Sequence, residues 1–108
     1  MCLIVLAHQL SIDYPLIMAA NRDEFRQRPT QNMHWWPDIE ILAGKDLEAS
    51  GTWLALHKNG RWAAVTNFRK GPTQNAAVFK SRGHIAIDFL RQKKSAVVFT
   101  GELQADQF

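Results

Sequence analysis

The chain lacks a second cysteine. With Cys2 alone no internal disulfide framework can form, and the composition fits a reducing interior. Long apolar runs are also missing: no stretch approaches the roughly 18 apolar residues of a membrane helix, so no membrane span is expected. The opening Leu3 to Ala7 is apolar but short, has no basic start and soon meets His8 and Gln9, which excludes a secretory signal peptide and predicts a cytoplasmic protein. An excess of one charge is absent as well. The net charge of +3 is mild and its cations are scattered. Lys93-Lys94, the nearest approach to a basic cluster, suits a solvated helix end better than a nucleic-acid partner. No two of the histidines His8, His34, His57 and His84 have metal-ligand spacing, and one cysteine cannot build a zinc site, so no metal is expected. Low-complexity tracts are missing too. What remains, 46% hydrophobic and 21% charged over 108 residues, describes one small globular domain with no room for a second.

Cys2 to Gln9 and Leu16 to Ala20 are short apolar runs separated by Ser11-Ile12-Asp13-Tyr14-Pro15, which predicts two antiparallel strands joined by a turn. Neither run alternates cleanly, which predicts burial on both faces. From Phe25 to Ile41 the pattern dissolves into an expected long loop carrying Trp35-Trp36-Pro37. Thr52 to His57 and Arg61 to Asn67 are strand-like around Asn59-Gly60, the signature of a type I′ hairpin turn. Gly71-Pro72 ends that region. Ser81 is placed to cap a helix from about Arg82 to Lys93, with Ile85, Phe89 and either Ile87 or Leu90 on its apolar side. A second short helix over Ala96 to Leu103 would be interrupted by Gly101. Four strands followed by helix predict an α+β architecture.

Two features carry chemistry. Removal of Met1 would leave Cys2 with both a thiol and a free α-amino group, whose pKa of roughly 7.7–8.0 suits a base for its own side chain. The competing reading makes Cys2 a small apolar residue opening a strand. The second feature is the polar tetrad Asn21-Arg22-Asp23-Glu24 at the end of the second apolar run, which a hairpin would return to the N-terminus. Cys2 is therefore expected within side-chain reach of Arg22 or Asp23. The tetrad also reads as a polar turn in which Arg22 and Glu24, or Asp23 and a backbone amide, fix the loop. Asn67, at a strand exit, can donate its amide to a developing oxyanion or simply cap the strand. Gly51 reads as a site of close backbone approach, a bulge, or a plain turn.

Met1-Cys2-Leu3-Ile4, Ala20-Asn21-Arg22-Asp23-Glu24-Phe25, Arg28-Pro29, Ala43-Gly44-Lys45-Asp46, Gly51-Thr52-Trp53-Leu54-Ala55, Asn59-Gly60-Arg61, Thr66-Asn67-Phe68-Arg69 and Ser81-Arg82-Gly83 follow one another in order. This ordered set resembles the NRDE family, also called transport and Golgi organisation 2, through about residue 90. The resemblance implies an N-terminal nucleophile hydrolase-like α/β/β/α sandwich, of which residues 1–108 would be the N-terminal portion, since family members are much longer. Half a sandwich exposes sheet edges and an apolar face, which favours self-association.

The resemblance implies two functions. One is handling of a small-molecule ligand at Asn21, Arg22, Asp23 and Glu24, with haem, carried transiently, as the cargo proposed for some members. The other is hydrolysis of linear amide bonds by Cys2, with Arg22 favouring thiolate, Asp23 orienting the α-amino group and Asn67 at the oxyanion. The acylase pair that Arg22 and Asp23 resemble is separated along its chain, whereas here the two are adjacent. Haem needs only one or two axial ligands. His34 beside Met33 and Trp35-Trp36 is the most suggestive cluster, but a lone loop histidine is usually a surface residue, so no ligand is assigned.

Overall fold

The computed structural model describes residues 2–67 and 80–108. Strands β1 (Leu3–His8) and β2 (Leu16–Asn21) form a two-stranded sheet. Strands β3 (Thr30–Trp36), β4 (Ile41–Asp46), β5 (Leu54–His57) and β6 (Trp62–Ala64) form a four-stranded sheet in sequence order. Helices α1 (Gly83–Arg91) and α2 (Ala96–Glu102) and a 3₁₀ turn at Ala105–Gln107 complete an α+β architecture. Among the described residues no helix is long and apolar enough to cross a membrane. Gly71-Pro72, read as the end of the β5–β6 region, lies outside the described residues.

The first hairpin is as expected: β1 and β2 are antiparallel in register, with Leu3 opposite Asn21 and His8 opposite Leu16. Gln9, at φ 55°, turns the chain and donates its N–H to the Pro15 carbonyl. Burial on both faces is not found, since Leu3, Val5, Leu6 and Ile17 are all exposed. An unalternating apolar run puts greasy side chains on both faces, and among the described residues this sheet has only two strands.

The loop expected from Phe25 to Ile41 instead contains β3 at its centre, with turns and irregular chain on either side. Pro29 and Pro37 flank that strand rather than interrupt it. Gln31, Asn32 and His34 hide the alternation because β3 is a sheet edge, where polar residues and a register shift between Gln31 and His34 are tolerated. Its partner β4 brings Ile41 and Ala43 into the core with Ala55 and Leu90.

The Asn59-Gly60 turn is not type I′. Gly60 has φ 91° while Asn59 is not among the positive-φ residues, and Gly60 N–H donates to the His57 carbonyl while His57 N–H donates to that of Arg61. This is a three-residue loop with glycine at the left-handed position. β6 stops at Ala64, short of the expected Asn67.

Helix α1 packs on β5 and β6 with Ile87 and Leu90 buried and Ile85 and Phe89 half-buried, as expected, and with Ala86 buried among them. Phe89 packs against the core and also meets Phe99 of α2, edge-on at 5.3 Å, and Arg61. The α1 N-cap position is Arg82 with no side-chain cap bond; the Ser81 hydroxyl accepts the Gly83 N–H at 3.3 Å. Helix α2 runs through Gly101 without interruption, a tolerable cost of about 1 kcal/mol for one glycine, and Ser95 caps it by accepting the Val98 N–H.

Gly51 is a site of close approach. The β4–β5 connection crosses the start of α1 so tightly that a Cβ on Gly51 would sit 2.8 Å from the Gly83 carbonyl carbon. Thr52 N–H donates to the Gly83 carbonyl at 3.1 Å, and the buried Thr52 hydroxyl donates to the Leu54 carbonyl.

Candidate functional site

The β1–β2 register carries Asn21 back beside the start of β1, and the chain continues past the N-terminus as Arg22-Asp23-Glu24. Cys2 is half-buried there, its Sγ 3.9 Å from the Asp23 carbonyl oxygen, a long contact of the weak kind a thiol makes. The expected proximity of Cys2 to Asp23 is thus present, through the backbone of Asp23.

Arg22 is directed to two carboxylates. Its Nη2 is 3.1 Å from Glu24 Oε2 and 3.8 Å from Asp46 Oδ2. Glu24 Oε1 in turn accepts the Phe25 N–H, which tightens the chain after the tetrad. Arg22 and Glu24 therefore do fix a polar turn, and that turn shares its cation with a residue on another sheet.

Asp46, at the end of β4, is heavily bonded. Its Oδ2 accepts from Arg28 Nε at 2.8 Å and lies 2.7 Å from Arg28 Nη2. Its Oδ1 accepts the Glu48 and Ala49 N–H groups, the pattern of an aspartate that turns the chain after itself. Burial pushes the Asp46 carboxyl up, but the Arg28 hydrogen bond, the two backbone N–H groups and the Arg28 charge outweigh it and hold the pKa below the ordinary carboxylate value. The Asp46 hydrogen bond, with its charge and those of Glu48 and Glu24, raises Arg28 against desolvation.

A pH dependence follows. Because the folded pKa of Asp46 is lowered, the unfolded chain binds the proton more readily, and the stabilisation is complete above the ordinary value of about 3.9. It is lost as pH falls through the lower folded value. Unfolding measured against pH should show this loss below about pH 4, and Asp46→Asn should flatten it. An identical acid profile in the variant would contradict the assignment.

Asn67 Oδ1 accepts from Arg82 Nη1 at 3.1 Å, beside the start of α1. The structure therefore brings together Cys2, Asn21, Arg22, Asp23 and Glu24, and adds Asp46 and Arg28. Three of the four histidines have ring partners: His34 Nδ1 meets the Asn32 carbonyl at 2.7 Å, His57 Nδ1 accepts the Asn59 N–H, and His84 Nε2 meets the Ala49 carbonyl across the fold. His34, Met33 and the two tryptophans lie on β3 rather than a loop. Met33 and Trp35 are exposed, while Trp36 is half-buried, donating to the Ala43 carbonyl under the Lys45 ammonium. Among the described residues, no group of three or more His, Cys, Asp or Glu side chains is arranged to hold a metal ion.

A family model described as Transport and Golgi organisation 2 matches residues 1–107. The chain belongs to that family. It is 34% identical over 97 residues to the Transport and Golgi organization protein 2 homolog of Bos taurus, covering 86% of this chain and 34% of that protein. The corresponding Homo sapiens homolog is 41% identical over 81 residues, covering 71% of this chain and 29% of that protein. Drosophila melanogaster Transport and Golgi organization protein 2 is 38% identical over 84 residues, 71% of this chain and 29% of that protein. The chain thus spans about a third of the length of the curated relatives it matches.

Sequence blocks characteristic of the Transport and Golgi organisation 2 resemblance meet in pairs. Arg28 of Arg28-Pro29 grips Asp46 of Ala43-Gly44-Lys45-Asp46, and the Pro29 carbonyl accepts the Leu47 N–H. Gly51 crosses Gly83 of Ser81-Arg82-Gly83. Arg61 of Asn59-Gly60-Arg61 reaches the carbonyls that follow α1. Those blocks hold the frame, and the tetrad meets it through the Arg22–Asp46 contact.

Proposed function

We propose that the edge made by Cys2 and Asn21, Arg22, Asp23 and Glu24 is a small-molecule site, and that in this family the molecule is haem carried transiently inside the cell. The observation that carries this reading is the half-buried Cys2 thiol at the tetrad, a soft donor on that edge, beside strands whose Leu3, Val5 and Ile17 stay exposed. A thiolate is a competent haem ligand and a flat macrocycle needs apolar surface, so the two together suit a cargo better than either alone. A carrier must also release its cargo, so binding is reversible and modest. The two sheets and α1 are read here as the first part of an α/β/β/α sandwich in a cytoplasmic protein. The layering of α1 on β5 and β6 supports that reading.

The Cys2–Asp23 contact favours a second reading, amide hydrolysis. With Met1 removed, the α-amino group takes the thiol proton, the thiolate attacks the amide carbonyl, the amine leaves protonated and water releases the acid. Intact mass decides whether the amine exists, and in a full-length relative the Cys2→Ala change should abolish cleavage.

For haem, titration should give a saturable Soret shift. Cys2→Ala should weaken it on the order of tenfold, the equivalent of about 1.4 kcal/mol, and replacing Arg22 and Asp23 together should weaken it as well. Uptake that never saturates, or that an unrelated protein of similar size matches, would mean apolar adsorption and end the haem reading.

A further inference from the structure

We infer that Asp46 is the positioning residue for Arg22, so that the tetrad is set by β4 and not by its own loop alone. This rests on the proposed site at the tetrad, but the geometry behind it does not.

Arg22 has two carboxylate partners of different standing. Glu24 is the nearer at 3.1 Å, but it sits two residues along the same loop and moves with it. Asp46, at 3.8 Å, is anchored from elsewhere. Its own N–H donates to the Gly51 carbonyl, its carbonyl accepts the Ser50 N–H, and its Oδ1 is occupied by two backbone N–H groups. Arg28 holds Oδ2, the oxygen turned to Arg22. No strand of the two-stranded sheet pairs with the four-stranded one, so this side-chain contact is a direct tie between them.

The two carboxylate oxygens of Asp46 have separable tasks. Oδ1 shapes residues 46–50, which a neutral amide oxygen can still do. Oδ2 supplies charge to Arg28 and Arg22, which an amide cannot. Asp46→Asn therefore removes the tie while sparing the turn, and a side chain with only a structural task would lose little by it.

The readout is the Nη–Hη resonances of Arg22 in nitrogen-15 spectra of the 108-residue chain, since Nη2 is the atom that meets both carboxylates, with exposed Arg26 as internal reference. In the wild type, the Arg22 Nη–Hη protons should exchange with water more slowly than those of Arg26. Glu24→Gln should leave most of that protection, Asp46→Asn should remove it, and Asp46→Glu, which keeps the charge, should restore part of it. Haem titrated into the same variants should bind several-fold more weakly to Asp46→Asn, on the order of fivefold for a partly exposed pair. In an Arg22→Ala background the Asp46→Asn change should have no further effect on Kd. An Arg22 resonance indifferent to Asp46→Asn overturns the inference, as does an equal loss of affinity with and without Arg22. Should Asp46→Asn fail to fold, wild-type Arg22 exchanging as fast as Arg26 overturns it, and protection that survives Glu24→Gln supports it. A wild type that binds no haem saturably, yet whose Arg22 responds to Asp46, ends the haem reading and supports the positioning.

Discussion

Gly51→Ala should be among the most damaging single substitutions in the described part of the chain. The added Cβ would stand 2.8 Å from the carbonyl carbon and 2.9 Å from the Cα of Gly83, backbone atoms that cannot rotate aside. Either the β4–β5 connection or the start of α1 has to move. The Thr52–Gly83 hydrogen bond and the His84 contact to the Ala49 carbonyl both lie in that crossing and would lengthen. Overpacking of this kind costs about 1–3 kcal/mol, and a clash between two backbones belongs at the upper end. For a chain of this size the thermal midpoint should fall by roughly 10 °C or more. Gly83→Ala should be milder, since its nearest contacts are at 3.2 Å. A Gly51→Ala chain unfolding with the wild type would mean that the crossing is looser than described.

Arg61→Ala should be comparably costly for a different reason. The guanidinium donates to the carbonyls of Gln92 and Lys94 just past the end of α1 and to that of Phe89, which also accepts the Gln92 N–H, and it stacks on the Phe89 ring at 4.3 Å. Removing a charged donor from partly buried carbonyls costs about 1.5–3 kcal/mol, and the lost stacking adds to it. Arg61→Lys should recover little, because an ammonium lacks the planar fork that reaches three acceptors. Hydrogen exchange should place the loss at the last turn of α1 and the start of α2. Unchanged protection there in Arg61→Ala would contradict this role.

The legible parts of the fold are those where local pattern and tertiary context agree. The β1–β2 hairpin could be read because two apolar runs flank a turn containing Pro15, and its register alone places Cys2 near the tetrad. Strand β3 could not, because an edge strand keeps polar Gln31, Asn32 and His34 and shows no period. Strand β4 was hidden by Gly44-Lys45, which break its apolar run although Ile41 and Ala43 are at the centre of the core. In α1 the periodicity marked the helix and most of its apolar side, but not Ala86, whose small side chain is fully buried there.

At the site, membership of the tetrad was readable and its support was not. Arg28 and Asp46 stand 18 residues apart, across a bulged hairpin, and only the fold brings them together. Asp46 did leave a signal, as an acidic turn-former ahead of Leu47-Glu48-Ala49-Ser50. Asn67 shows the opposite limit: a side-chain amide at a strand exit was legible, but the partner it finds is Arg82.

The central claim is that Cys2 and the tetrad form one site. Its most direct test is the rate at which iodoacetamide alkylates Cys2 as haem is added to the wild-type chain. Cys2 is the chain's one cysteine, so incorporated mass reports it alone. If the account holds, haem protects Cys2 with the same half-saturation as the Soret shift, and replacing Arg22 and Asp23 together moves both curves by the same factor. An alkylation rate that saturating haem leaves unchanged would contradict it.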